Sequence, residues 1–150
     1  MMPSTFEEQL EQTGHLVFTN KGTSMLPLLR QDRDLMVLEK KGAERCRKYD
    51  AVLFKRDNGQ YVLHRILKVR PADYWIVGDN CFTGENIRED QILGVLTAVV
   101  RDGTNIPVTD RRYRAYVHLW CDCYPVRFFL LRCRHLAGAL LRKIKRILTK

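Results

Sequence analysis

Between residues 15 and 108 the chain is a succession of short apolar runs, each closed by a tight turn, and this rhythm limits the fold more than any other feature. The runs are His15–Asn20, Leu35–Glu39, Ala51–Arg56, Gln60–Val69, Tyr74–Val77 and Ile92–Arg101. The turns include Lys21-Gly22-Thr23, Gln31–Asp34, Asp57-Asn58-Gly59, Pro71-Ala72-Asp73 and Asp102-Gly103. Runs this short, rich in Val, Ile, Leu and aromatic residues, read as strands. Asp57-Asn58-Gly59 is a strong hairpin signal, because Asn and Gly tolerate positive φ. Ile87–Gln91 is polar and reads as loop. The expectation is a mainly β, compact domain of six or seven short strands. A short helix over Ser4–Thr13 precedes it, with Ser4 as cap, Glu7 closing a capping box, and Gly14 as the stop.

Charge divides the chain near residue 110. Residues 111–150 hold 11 Lys/Arg against a single acid, Asp122, while residues 1–110 hold 15 Lys/Arg against 16 Asp/Glu. Periodicity changes at the same place. From Pro125 onward apolar residues recur at helical spacing, through Val126, Phe129, Cys133, Leu136, Leu140, Ile144 and Ile147. The state of Tyr113–Trp120 stays open between strand and helix. The division expected is a β domain over residues 1–110, with its core at about 14–100, and a basic amphipathic extension over residues 111–150. Three roles compete for that extension, in this order: packing its stripe on the β domain, contacting an anionic membrane surface through residues 124–150, and binding nucleic acid, which is the least expected.

At 150 residues and 45% hydrophobic content, one core is expected and a disordered or fibrous chain is excluded. No run of about 18 apolar residues reads as a membrane span. The acidic start MMPSTFEEQLEQ does not read as a secretory signal, so a cytoplasmic location, with contact at a membrane surface, is expected. The odd count of five cysteines then reads as reduced thiols. Cys121-Asp122-Cys123 lacks a matching second pair for zinc, and neither a metal nor a cofactor is expected.

The chemistry-bearing residues lie in three separated places. Ser24 follows a Gly-containing turn, with Met25 to anchor the loop and Pro27 to stiffen it. His64 stands inside an apolar strand, where an unpartnered imidazole is costly. A serine needs such a base to become a nucleophile, and an imidazole with a pKa of ~6.5 is partly neutral at physiological pH. Gly78-Asp79-Asn80 ends a later strand, followed by Glu85 and Asp90, any of which can orient the imidazole. Lys55 and Lys68 are alternative bases. Lys68 lies on the face of His64 but roughly 13 Å further along the strand, so both cannot serve Ser24.

The order Gly22-x-Ser24-Met25-x-Pro27, then His64-Arg65 on a hairpin strand, then Gly78-Asp79-Asn80, resembles the LexA/signal peptidase superfamily of serine peptidases over about residues 14–100. The resemblance implies Ser24 as nucleophile and His64 as base, in the manner of the histidine-type signal peptidases rather than the lysine-type leader peptidases. It places the triad acid a few residues after Gly-Asp-Asn, where Glu85 is the nearest match, Asp79 the second choice and Asp90 the third. Glu85 stands where Asp is usual. Gly22 stands where many leader peptidases carry a hydroxyl residue, which leaves Thr23 or the backbone N–H groups of Thr23–Met25 to hold an oxyanion. Neither a preceding membrane anchor nor a helix-turn-helix fits into the first fourteen residues, so a small stand-alone member is expected. The function implied is cleavage of an extended peptide or leader segment. The alternative is a catalytically silent module of this fold that binds a peptide, a membrane surface or a regulatory partner.

Overall fold

A computed structural model describes residues 5–19 and 21–148. The elements run α1 (Phe6–Thr13), β1 (His15–Thr19), β2 (Asp34–Lys40), β3 (Ala51–Lys55), β4 (Tyr61–Val69), β5 (Asp73–Val77), β6 (Gly84–Arg88), a 3-10 turn at Glu89–Gln91, β7 (Ile92–Arg101), β8 (Thr104–Pro107), α2 (Arg111–Asp122) and α3 (Tyr124–Leu148). The protein is mainly β. All eight strands belong to one antiparallel sheet of order β1-β2-β7-β3-β4-β5-β6, with β8 also paired to β7. The long β7 serves two neighbours on one side: its first half pairs with β3 and its second half with β8.

Period-2 alternation explains why β3 sits in the middle. Ala51 and Leu53 point into one core with Leu16, Met36, Leu38, Leu63 and Leu96. Val52 and Phe54 point the other way, into a second core with Ile66, Tyr74, Ile76 and Ile87. A strand buried on both faces has no polar face to offer water, as its sequence AVLF shows.

The sequence expectations hold for the six apolar runs. The structure adds two strands the polar pattern hid. β6 carries one buried residue, Ile87, and occupies a sheet edge. β8 is closed onto β7 by the Asp102-Gly103 turn, where both residues have positive φ, and it ends on Pro107, a residue that edge strands tolerate. The expected Ser4 cap lies outside the described residues. The cap observed is Thr5: its hydroxyl accepts from the Glu8 N–H at 3.2 Å, and Glu8 accepts from the Thr5 N–H at 3.1 Å. Glu7 is thereby free to pair with Lys55 at 2.7 Å and with the Tyr61 hydroxyl.

Tyr113–Trp120 is helical. α2 sends Tyr113 and Val117 into the first core. Its N-terminus is capped by Asp110, whose carboxylate accepts from the Arg112 and Tyr113 N–H groups. α3 runs 25 residues and corrects one expectation. Its apolar stripe is not packed on the β domain: from Arg132 to Leu148 no residue is buried.

Candidate active site

Ser24 lies in the turn between β1 and β2. Met25 and Leu29, both fully buried, fasten this turn to the first core, and the Leu26–Pro27 peptide bond is cis. The turn is also tied across the molecule, since the Asn80 N–H donates to the Ser24 carbonyl at 2.7 Å. The Gly-Asp-Asn segment and the serine loop therefore form one unit, although 54 positions separate Ser24 from Gly78.

His64 and Arg65 are neighbours on β4, and alternation sends them to opposite faces. His64 is 7% exposed and lines a cleft of about 840 Å³ together with Thr23, Ser24, Cys81, Phe18 and Tyr61. Its Nδ1 faces Glu85 Oε1 at 3.4 Å. That contact is electrostatic: the approach is outside hydrogen-bonding geometry, and Nδ1 is otherwise buried without a partner. A proton on Nδ1 is favoured beside the carboxylate, which directs the Nε2 lone pair to the other side of the ring.

On that side stands Gly78. A Cβ built there would lie 2.8 Å from the Ser24 carbonyl oxygen and 2.9 Å from His64 Nε2. Only a residue without a side chain lets the imidazole and the serine loop converge so closely. Among the described residues the Ser24 hydroxyl and His64 Nε2 make no direct hydrogen bond. In unliganded serine–base pairs that bond is often long and tightens when substrate binds.

Two carboxylates follow Gly78, and the structure gives them different work. Glu85 is gripped by Arg56, which donates to it from Nε at 2.8 Å and from a terminal nitrogen. This pairing holds the Glu85 carboxyl below its ordinary range, so it is ionised beside the imidazole. Asp79 is completely buried, and its oxygens accept from Arg65 at 2.9 and 2.8 Å and from the Tyr116 hydroxyl at 3.1 Å. Its backbone carbonyl accepts from the Trp120 indole at 2.8 Å. Asp79 thus fastens α2 to the sheet, and its charge reaches His64 only through space. Asp90, the third candidate acid, is exposed and pairs with Arg88. Lys55 is engaged with Glu7, and Lys68 is exposed outside the cleft.

Burial dominates the imidazole and pulls its pKa below the usual 6.5, although the Glu85 charge opposes the shift. His64 is therefore neutral at neutral pH and able to accept a proton. Cys81, beside Gly78 in the same cleft, has its thiol pKa raised by burial.

Sequence reasoning missed two arginines. Arg56 ends an apolar run and carried no signal of its partner Glu85 on β6, three strands away in the sheet. Arg127 read as one cation of a solvated tail. In the structure it is 1% exposed and donates to the Gly78 carbonyl at 2.6 Å and the Cys81 carbonyl at 3.0 Å. The loop that carries Gly78 is thus clamped from the sheet by Arg65 and from α3 by Arg127.

Cys121 and Cys123 gather no further ligands: among the described residues no cluster of three or more His, Cys, Asp or Glu side chains is placed to hold a metal ion. The Cys121 thiol is pushed up to about 11 by burial. No helix among the described residues is long and apolar enough to cross a membrane. The chain matches no protein-family model and no curated protein.

Proposed function

We propose that the protein is a serine endopeptidase of the signal-peptidase-like type, with Ser24 as nucleophile, His64 as general base and Glu85 as the carboxylate that orients the imidazole. The observation that carries this reading is the convergence at Gly78. The serine loop and the His64 ring meet there in one cleft, with an ionised carboxylate on the far side of the ring.

When substrate fills the cleft, His64 Nε2 takes the proton from the Ser24 hydroxyl as Oγ attacks the peptide carbonyl. The backbone N–H groups of Thr23–Met25 stabilise the oxyanion. The tetrahedral adduct collapses to an acyl-enzyme as His64 gives its proton to the leaving amine. Water, deprotonated by His64, releases the acyl product and restores Ser24. Glu85 keeps the Nδ1 proton in place and favours the imidazolium. The substrate is an extended peptide. β1 is an edge strand whose end, Phe18–Thr19, lines the cleft, so main-chain pairing with β1 supplies sequence-tolerant affinity. Phe6 of α1 packs with tilted rings against both Phe18 and Tyr61, at the apolar end of the cleft.

The test is cleavage of a peptide library with small residues at the scissile position, by the intact chain and by Ser24→Ala and His64→Ala. Each substitution should lower kcat by on the order of 10³-fold or more, and the double variant should lose little beyond either single one. Equal turnover by all four proteins would overturn the assignment.

A further inference from the structure

α3 docks on the β domain through the face opposite to its apolar stripe. Its contacts with the body include Arg127 and Leu131, which are buried, and Phe128 and His135, whose rings lie 5.4 and 5.2 Å from that of Phe82. At about 100° per residue these four share one side of the helix. Phe129, Leu136, Leu140, Ile144 and Ile147 fall on the other side, from 43% exposed at Ile144 to 65% at Phe129. A helix in water normally turns such a stripe inward, and a projecting segment of this length is marginal without a cover for it.

Charge says what the cover is. Residues 124–148 contain seven Lys/Arg and no acid. Arg132 and Lys143 border the stripe on one flank, and Arg142, Lys145 and Arg146 follow around the helix from that flank. A second copy of this helix would bring two sets of cations together with no carboxylate between them. A lipid surface of anionic headgroups offers what both features require, an apolar layer for the stripe and negative charge at its border, which long Arg and Lys side chains can reach. We infer that α3 is an interfacial helix that lies along an anionic membrane surface with its stripe in the acyl boundary. His135 reaches from the docked side of α3 into the lining of the active-site cleft. The same helix therefore holds the cleft beside the bilayer, where an extended segment leaving the membrane would meet it.

The inference stands apart from the peptidase reading, because Ser24→Ala protein should bind lipid as the unaltered chain does. The test is flotation of the full Ser24→Ala chain with phosphatidylcholine vesicles, with and without phosphatidylglycerol. Binding should require the anionic lipid. Leu136→Ser/Leu140→Ser/Ile144→Ser, all at exposed positions, should weaken it at least tenfold while near-UV circular dichroism stays unchanged. Arg142→Gln/Lys143→Gln/Lys145→Gln/Arg146→Gln should weaken it on the order of a hundredfold. The inference is overturned by failure to bind anionic vesicles. It is equally overturned by binding that the triple serine variant leaves intact, which would mean surface adsorption by charge alone. A dimer in solution that the triple serine variant dissociates, without vesicle binding, would show that a second copy covers the stripe instead.

Discussion

Replacing Gly78 by alanine tests the site at its narrowest point. The new methyl group would begin 2.7 Å from Cys81 Sγ, 2.8 Å from the Ser24 carbonyl oxygen and 2.9 Å from His64 Nε2. To reach ordinary van der Waals contact, the Ser24 carbonyl and the imidazole must each retreat by about half an ångström. They retreat from one point in different directions, so the two displacements compound. A misplacement of about 1 Å costs on the order of 10²-fold in rate, and a loss of roughly 10- to 100-fold in kcat/KM is expected. Overpacking should also destabilise the fold by about 1–3 kcal/mol. Gly94→Ala is the matching control. Its Cβ would stand 2.9 Å from the Glu39 carbonyl oxygen, a clash of the same kind on β7 but outside the cleft. Urea unfolding and initial peptide-cleavage rates, measured well below both melting transitions, separate the two effects. Both variants should lose stability, and only Gly78→Ala should lose activity as a folded protein. Cleavage by Gly78→Ala within about twofold of the unaltered chain, or equal losses in the two variants, would refute the convergence argument.

Two further outcomes follow from the charges around His64. Asp79→Asn should destabilise the protein by about 3–5 kcal/mol, because it leaves the buried Arg65 guanidinium without its counter-charge, whereas Glu85→Gln should cost under about 1 kcal/mol in unfolding yet lower kcat on the order of 10²-fold or more; the reverse pattern would exchange the roles of the two acids. The acid limb of kcat/KM should have its midpoint below 6.5, since burial holds the His64 pKa down and only the neutral imidazole accepts the proton. Arg56→Gln removes a cation that lowers this pKa and should move the limb to higher pH, while Glu85→Gln removes an anion that raises it and should move the limb lower; shifts in the same direction would sink the proposed geometry. The same depression makes His64 a source of acid lability: the unfolded chain takes the proton first, so its contribution to stability falls as pH drops from about 6.5 through the lower folded value.

The sheet was legible where one face of a strand is apolar. β3, with AVLF buried on both sides, and β4, with its alternation, could be read directly from their residues. β6 could not, because GENIR buries a single residue and owes its place to pairing with β5. Of the site, Ser24, His64 and the Gly-Asp-Asn segment stood out by their order along the chain. The separate duties of Glu85 and Asp79 did not, because they depend on which face of β4 carries each basic neighbour. Helical spacing marked α3 correctly from Pro125 onward, but spacing alone does not say which side of a helix meets the body. Arg127 shows why: one guanidinium, held by two loop carbonyls, fixed a rotation that the apolar stripe would have set the other way.

The clamp made by Arg127 also sets a condition on timing. The segment bearing Gly78 cannot be fully braced until a stretch of polypeptide well beyond His64 has emerged from the ribosome and coiled. A chain cut before α3 would keep the Arg65 clamp on the Gly78 loop and the Asn80 tie to the Ser24 carbonyl, and lose the brace from Arg127.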